Sequence, residues 1–230
     1  GFAFINELQS FFGRVTYQYN NKYLFTANFS ADGSSKFGAN NKYGYFPSFS
    51  FGWKISDEGF MENSIFSNLK LRAGWGLTGN QEIPPKITQA LFTSLGAASY
   101  PLYPASGNYP AGYAYTRLAN PDIKWESSEQ IDLGLDFGLF KNALTGTIDL
   151  FHKVSRDILL QVIPADPVQP ATEVWSNVPD MTITNEGAEI ELDYRHRSEK
   201  SISYNIGGNI TFIKNKVENS PYTLIPSGSV

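Results

Sequence analysis

Apolar and polar positions alternate along most of this chain. Ile131 to Leu139 reads Ile-Asp-Leu-Gly-Leu-Asp-Phe-Gly-Leu, apolar at odd positions and acidic or glycine at even ones. A period of two belongs to a strand with one apolar face and one wetted face. The same alternation predicts strands near 11–19, 23–30, 45–55, 69–77, 125–139, 143–154, 188–195 and 202–212. In the first, Phe11, Val15, Tyr17 and Tyr19 share the apolar face, against Phe12, Arg14, Thr16 and Gln18. In the third, Tyr45, Pro47, Phe49, Phe51, Trp53 and Ile55 stand against Phe46, Ser48, Ser50, Gly52 and Lys54. Pro47 has no N–H to give a ladder, so a strand start or bulge is expected there.

Two of these segments form a natural hairpin. A turn of two or four residues around Phe140-Lys141-Asn142 makes odd positions face even ones. Leu133 is then expected beside Ile148, and Phe137 beside Leu144. Asp132 and Asp136 share the other face with Thr145, Thr147 and Asp149, so the two patterns agree.

The connections alternate in length. Those near 20, 60, 140 and 198 are short; those near 38, 100, 168 and after 214 are long. Roughly eight strands of about ten residues suit a tilted crossing of a bilayer. Outer-membrane barrels have short periplasmic turns and long extracellular loops, which places 78–123 and 155–182 outside. The expected fold is therefore all-β: an antiparallel transmembrane β-barrel wall. A soluble β-sandwich also alternates, but its inward faces would carry a second apolar layer rather than charges and glycines.

Composition narrows the function. Charged residues make up 17% and aromatics 15%, a bias toward strands rather than a solvated surface. The net charge is −4 and the basic residues are scattered, so no nucleic-acid partner is expected. There is no cysteine, hence no disulfide framework or thiol chemistry. No run approaches the ~18 apolar residues of a membrane-spanning helix, and barrel strands need none.

Several stretches resemble one family, the TonB-dependent outer-membrane transporters of the SusC/RagA type from Bacteroidetes. They include Ala31-Asp32-Gly33-Ser34-Ser35-Lys36-Phe37-Gly38, Gly44-Tyr45-Phe46-Pro47-Ser48 and Leu77-Thr78-Gly79-Asn80-Gln81. Asn120-Pro121-Asp122-Ile123-Lys124-Trp125-Glu126 and Asn185-Glu186-Gly187-Ala188-Glu189 are two more. Their order and spacing carry the likeness over nearly the whole chain. The resemblance implies an importer of glycans, oligosaccharides or peptides, with a barrel of roughly 22 strands closed by a plug. It also implies a TonB complex as energy source and a SusD-like surface lipoprotein as cap. Residues 1–230 are expected to be a late, C-terminal-side part of that barrel, without plug domain or TonB box. A passive porin or structural barrel, and a soluble carbohydrate-binding or adhesin module, are the competing readings.

Candidate site residues fall into two groups. Arg14, Lys70, Arg72, Asp132, Asp136, Glu189, Glu191 and Asp193 occupy wetted positions and are expected to line the lumen. Paired carboxylates could do acid–base work or hold a hard cation, but a lumen face is polar by construction. Tyr100, Tyr103, Tyr109, Tyr113, Tyr115 and Trp175 lie in the long outer connections and are candidates for ligand or partner contact. Tyr17, Tyr19 and Tyr23 flank a short turn and read as interface anchors. Trp53 and Trp75 are expected to meet lipid. His152 and His196 are the only histidines and lie on separate strands, so neither a zinc site nor a catalytic triad is expected. Asp32-Gly33-Ser34-Ser35 lacks the further acids of a calcium loop. No enzyme, cofactor or metal is expected.

Overall fold

The structure is a computed structural model and describes residues 5–95, 112–162, 174–197 and 202–221. Eight long strands form one antiparallel sheet in the order β1 (Leu8–Tyr19), β2 (Tyr23–Ser34), β3 (Tyr43–Lys54), β4 (Phe66–Asn80), β7 (Glu126–Leu139), β8 (Leu144–Arg156), β11 (Thr182–His196) and β12 (Tyr204–Glu218). The first and last strands of this sheet do not pair, so the sheet is an open wall. Two small hairpins stand on the long connections: β5 (Leu91–Leu95) with β6 (Gly112–Arg117), and β9 (Leu159–Val162) with β10 (Val174–Asn177).

The registers carry every apolar set onto one face. One cross-strand row reads Tyr17, Phe25, Phe51, Ala73, Leu133, Leu150, Ala188 and Phe212. The next, toward the short turns, reads Tyr19, Tyr23, Trp53, Leu71, Leu135, Ile148, Ile190 and Ile210. The opposite face is polar: Gln18, Leu24, Gly52, Arg72, Gly134, Asp149, Glu189 and Thr211 form one of its rows.

Nothing among the described residues covers the apolar face. Phe11, Val15, Phe49, Leu133, Leu150 and Phe212 all stand exposed on it. The buried apolar side chains lie elsewhere, in the long-loop end of the molecule: Phe37, Ile83, Ile87, Ile123, Trp125 and Leu159 form one cluster, and Ile158, Val178 and Met181 another. A soluble sandwich would bury the strand faces and leave the loops open. An exposed apolar band this broad is stable only in lipid.

Three expectations need correction. In the β7–β8 hairpin Leu133 pairs with Leu150 and Leu135 with Ile148, two residues from the expected register. The turn holds Phe140 to Ala143, and three successive left-handed residues, Phe140, Lys141 and Asn142, fix its path. Pro47 neither starts β3 nor bulges it; the β3–β4 ladder runs only from Ser48 to Lys54, so the missing N–H marks where that ladder stops. The strands also run further at the long-loop end than alternation predicts. β2 reaches Ser34, β4 reaches Asn80 and β8 reaches Arg156. The expected turn at 198–200 lies outside the described residues.

The short-turn end has its own clamp. Glu58, in the connection after β3, accepts from Tyr23 Oη at 2.7 Å, Lys22 Nζ at 2.9 Å and Trp53 Nε1 at 3.1 Å. These bonds, that of Tyr23 foremost, hold the Glu58 carboxyl down at about 2. A depressed folded value means the clamp is fully present above the ordinary carboxyl range and is lost as pH falls through about 2. Carboxyl-carbon NMR of the labelled intact protein should show this midpoint for Glu58 and its absence in Glu58→Gln. A midpoint in the ordinary range near 4.5 would remove the clamp.

Candidate functional site

The polar face holds the expected lumen residues. Arg72 on β4 makes a bidentate contact with Asp136 at 2.9 to 3.1 Å and reaches Asp149 at 2.8 Å. Gly134 lies between Arg72 and Asp149 in the row, and a Cβ there would stand 2.3 Å from the Asp149 oxygen. The ion pair spans three strands because the middle strand has no side chain at that point. Asp132 accepts from Gln130 at 2.9 Å. Lys70 faces Lys54 on one side and Asp136 on the other in the register. Glu189, Glu191 and Asp193 follow on the polar face of β11, and among the described residues none has an ion-pair partner.

Nearer the long loops the polar face gains aromatic rings, with Arg14 and Asp32 as the charges among them. Arg14 Nε donates to Asn28 Oδ1 at 2.7 Å, and Asn28 Nδ2 to Ser48 Oγ at 3.1 Å. The Arg14 guanidinium stands 5.4 Å from the centre of the Phe12 ring. These residues, with Phe46 and Trp125, line a groove of about 520 Å³. Phe12 and Phe46 are aromatics at even positions, out of phase with the apolar face of their own strands. That mismatch is readable in the sequence and marks them as ring faces turned to the lumen.

The groove is bounded by a clasp of loops. Phe37 stacks on Trp125 with centroids 4.4 Å apart, and Phe46 meets the same indole edge-on at 5.5 Å. Trp125 Nε1 donates to the Lys42 carbonyl at 3.1 Å, and Gly38 N–H to the Ile123 carbonyl at 3.1 Å. Asn40 donates to the Asp122 carboxylate at 2.8 Å. The Asn177 amide donates to the carbonyls of Lys124 and Asp157, and its oxygen accepts from Lys124 N–H. Glu126 accepts from Leu159 N–H at 2.8 Å and from Asn80 at 2.6 Å. The stretches around Asp32–Gly38, Leu77–Gln81 and Asn120–Glu126 thus pin one loop to the next.

The outer aromatic candidates divide. Tyr113 is 74% exposed, and Tyr115 packs on Phe92 at 4.3 Å on the β5–β6 hairpin. Trp175 packs against the clasp and its carbonyl accepts from Asn120 at 2.8 Å. Tyr100, Tyr103 and Tyr109 lie outside the described residues. Trp53 and Trp75 are on the apolar face as expected, each with its indole N–H given to a carboxylate, Glu58 and Glu129.

An open antiparallel wall with one lipid-facing side, one charged side and a knit extracellular rim defines a segment of a large outer-membrane β-barrel. Residues 3–227 match the family model described as TonB dependent receptor-like, beta-barrel, and the chain belongs to that family. It is 35% identical over 218 residues to TonB-dependent receptor P3 of Formosa agariphila, covering 94% of this chain and 21% of the relative. It is 33% identical over 225 residues to TonB-dependent receptor SusC of Bacteroides thetaiotaomicron, again covering 94% and 21%. Among solved structures, the RagAB peptide importer in its open-open state superposes with a TM-score of 0.84 at 25% identity, over 96% of this chain and 24% of that one. The siderophore receptor PirA from Pseudomonas aeruginosa, at 15% identity and a TM-score of 0.54, shares the fold. The chain therefore spans about a fifth of the curated relatives it matches. Its place is the bacterial outer membrane.

Proposed function

We propose that this chain is a late wall-and-rim segment of an energised outer-membrane importer, and that the groove at Phe12, Arg14, Asn28 and Phe46 touches the ligand on its way in. The observation that carries this is the pair of out-of-phase aromatics, Phe12 and Phe46, beside the Arg14–Asn28–Ser48 hydrogen-bond row. Ring faces next to amide and hydroxyl groups suit a neutral, hydroxyl-rich ligand such as an oligosaccharide. A peptide is the second reading, favoured by the likeness to a peptide importer. By the same family, the whole protein would take energy from a TonB complex through a plug outside these residues. It would work with a surface lipoprotein of the SusD type, for which the exposed Tyr113 and Tyr115, together with Tyr100, Tyr103, Tyr109 and Trp175, are contact candidates. Relatives of the family act as receptors and transporters, which supports a role without catalysis.

The test uses the intact receptor and two probes, a labelled panel of neutral oligosaccharides and a tryptic peptide pool. Phe12→Ala and Asn28→Ala should each weaken binding of one probe by about tenfold, the loss of roughly one good contact, with normal barrel assembly. Unchanged binding of both probes in both variants would remove the groove from the ligand path.

A further inference from the structure

The lipid-facing side carries a charged groove, on the face opposite the polar one. The row above Leu150, Ala188 and Phe212 reads His152, Glu186 and Lys214, and the next reads Val154, Thr184 and Lys216. All six residues lie on the apolar face by parity. Charge on that face costs roughly 2–4 kcal/mol at mid-membrane and about 0–1 near the interface. These rows therefore sit at headgroup depth. On this face His152, Arg156, Glu186, Lys214, Lys216 and Glu218 line a groove of about 450 Å³.

We infer that this groove seats the phosphate-bearing headgroup of an outer-leaflet lipid. Three cations line it, Arg156 from β8 and Lys214 and Lys216 from β12, against the two carboxylates of Glu186 and Glu218. Each is held by a carboxylate: Arg156 by Glu129 at 2.8 Å, Lys214 by Glu186 at 3.1 Å and Lys216 by Glu218. These pairs are well exposed and add little stability, so they orient the cations without saturating them. An ammonium has three donors and uses one here, leaving two for a phosphate oxygen. The Thr182 and Thr184 hydroxyls add neutral donors at the same level. Directly beneath run Leu150, Phe212, Ile190 and Ile210. A free phosphate would leave that wall bare; an acyl chain covers it.

The intact receptor, delipidated in detergent, is titrated with monophosphoryl lipid A and with the same lipid lacking phosphate, and occupancy is read by native mass spectrometry. At least tenfold tighter binding of the phosphorylated lipid is expected. Lys214→Gln with Lys216→Gln should abolish the preference, while Lys214→Arg with Lys216→Arg keeps it. Lys153→Gln, on the lumen face of β8, should change nothing. Heat-modifiable migration reports assembly, and the arginine pair separates lost charge from lost folding. Equal binding of the two lipids, or a preference that survives the glutamine pair, would overturn the assignment. So would displacement of the lipid by equimolar inorganic phosphate, which would make the groove a site for soluble anions.

Discussion

A Gly38→Ala receptor is expected to lose its extracellular clasp and keep its barrel. A Cβ at position 38 would stand 1.7 Å from the Pro121 carbonyl oxygen and 2.4 Å from its carbon. Both are backbone atoms, so no rotamer change relieves the clash. Either the loop bearing Phe37 or the one bearing Ile123 must withdraw, which breaks the Gly38 N–H bond to Ile123 and pulls Phe37, 2% exposed, from beneath Trp125. Overpacking against backbone costs about 3 kcal/mol, equivalent to a roughly hundredfold larger open population and a similar rise in the rate of limited proteolysis at the rim. The strand ladders share no atom with this contact, so heat-modifiable migration should be normal. Cleavage at the wild-type rate would show that the clasp does not depend on close approach at Gly38. Because Trp125 and Phe46 also bound the lumen groove, ligand binding should fall in the same variant.

The wall is largely legible in the sequence, and the reason is physical. Lipid on one side and water on the other sort side chains with period two, and no tertiary detail is needed to see it. All eight wall strands follow that rule. Register is a different matter. Sliding β8 by two residues along β7 leaves every parity unchanged, so the pattern cannot tell Leu150 from Ile148 as the partner of Leu133. The left-handed run at Phe140–Asn142 makes that choice. The outer strand ends were hidden for a related reason. Above the headgroups both faces are wet or covered by loops, and the alternation that lipid imposes fades at Asp32 and Thr78.

The clasp was visible only as a set of family-like stretches. Its contacts join residues such as Asn40 and Asp122, or Asn120 and Trp175, across distances in sequence that no local pattern bridges. The groove had a local signal. Phe12 and Phe46 break the parity of their strands, and an aromatic on the wetted face needs a reason other than lipid. The carboxylates of β11 lie on the polar face, beside the Arg72 network rather than within it.

The sharpest consequence of the two-faced wall concerns two neighbours on β11. Ile190 lies in the middle of the apolar band, between Ile148 and Ile210; Glu191 lies on the other face, between Thr147 and Asn209. Ile190→Lys should destabilise the folded barrel in lipid vesicles by about 2–4 kcal/mol, the depth-dependent cost of a cation in hydrocarbon. It should also reduce assembly in cells. Glu191→Lys, one residue away and the larger change in charge, should cost less than about 1 kcal/mol, because the lumen face stays hydrated. Denaturant unfolding in vesicles measures both. The ratio matters more than either value, since expression and chaperone effects act on both variants alike. Equal costs would mean that the two faces do not meet different solvents, and the membrane-wall reading would fail with them. A large cost at Glu191 alone would mean that this carboxylate has a partner inside the barrel that the lysine repels.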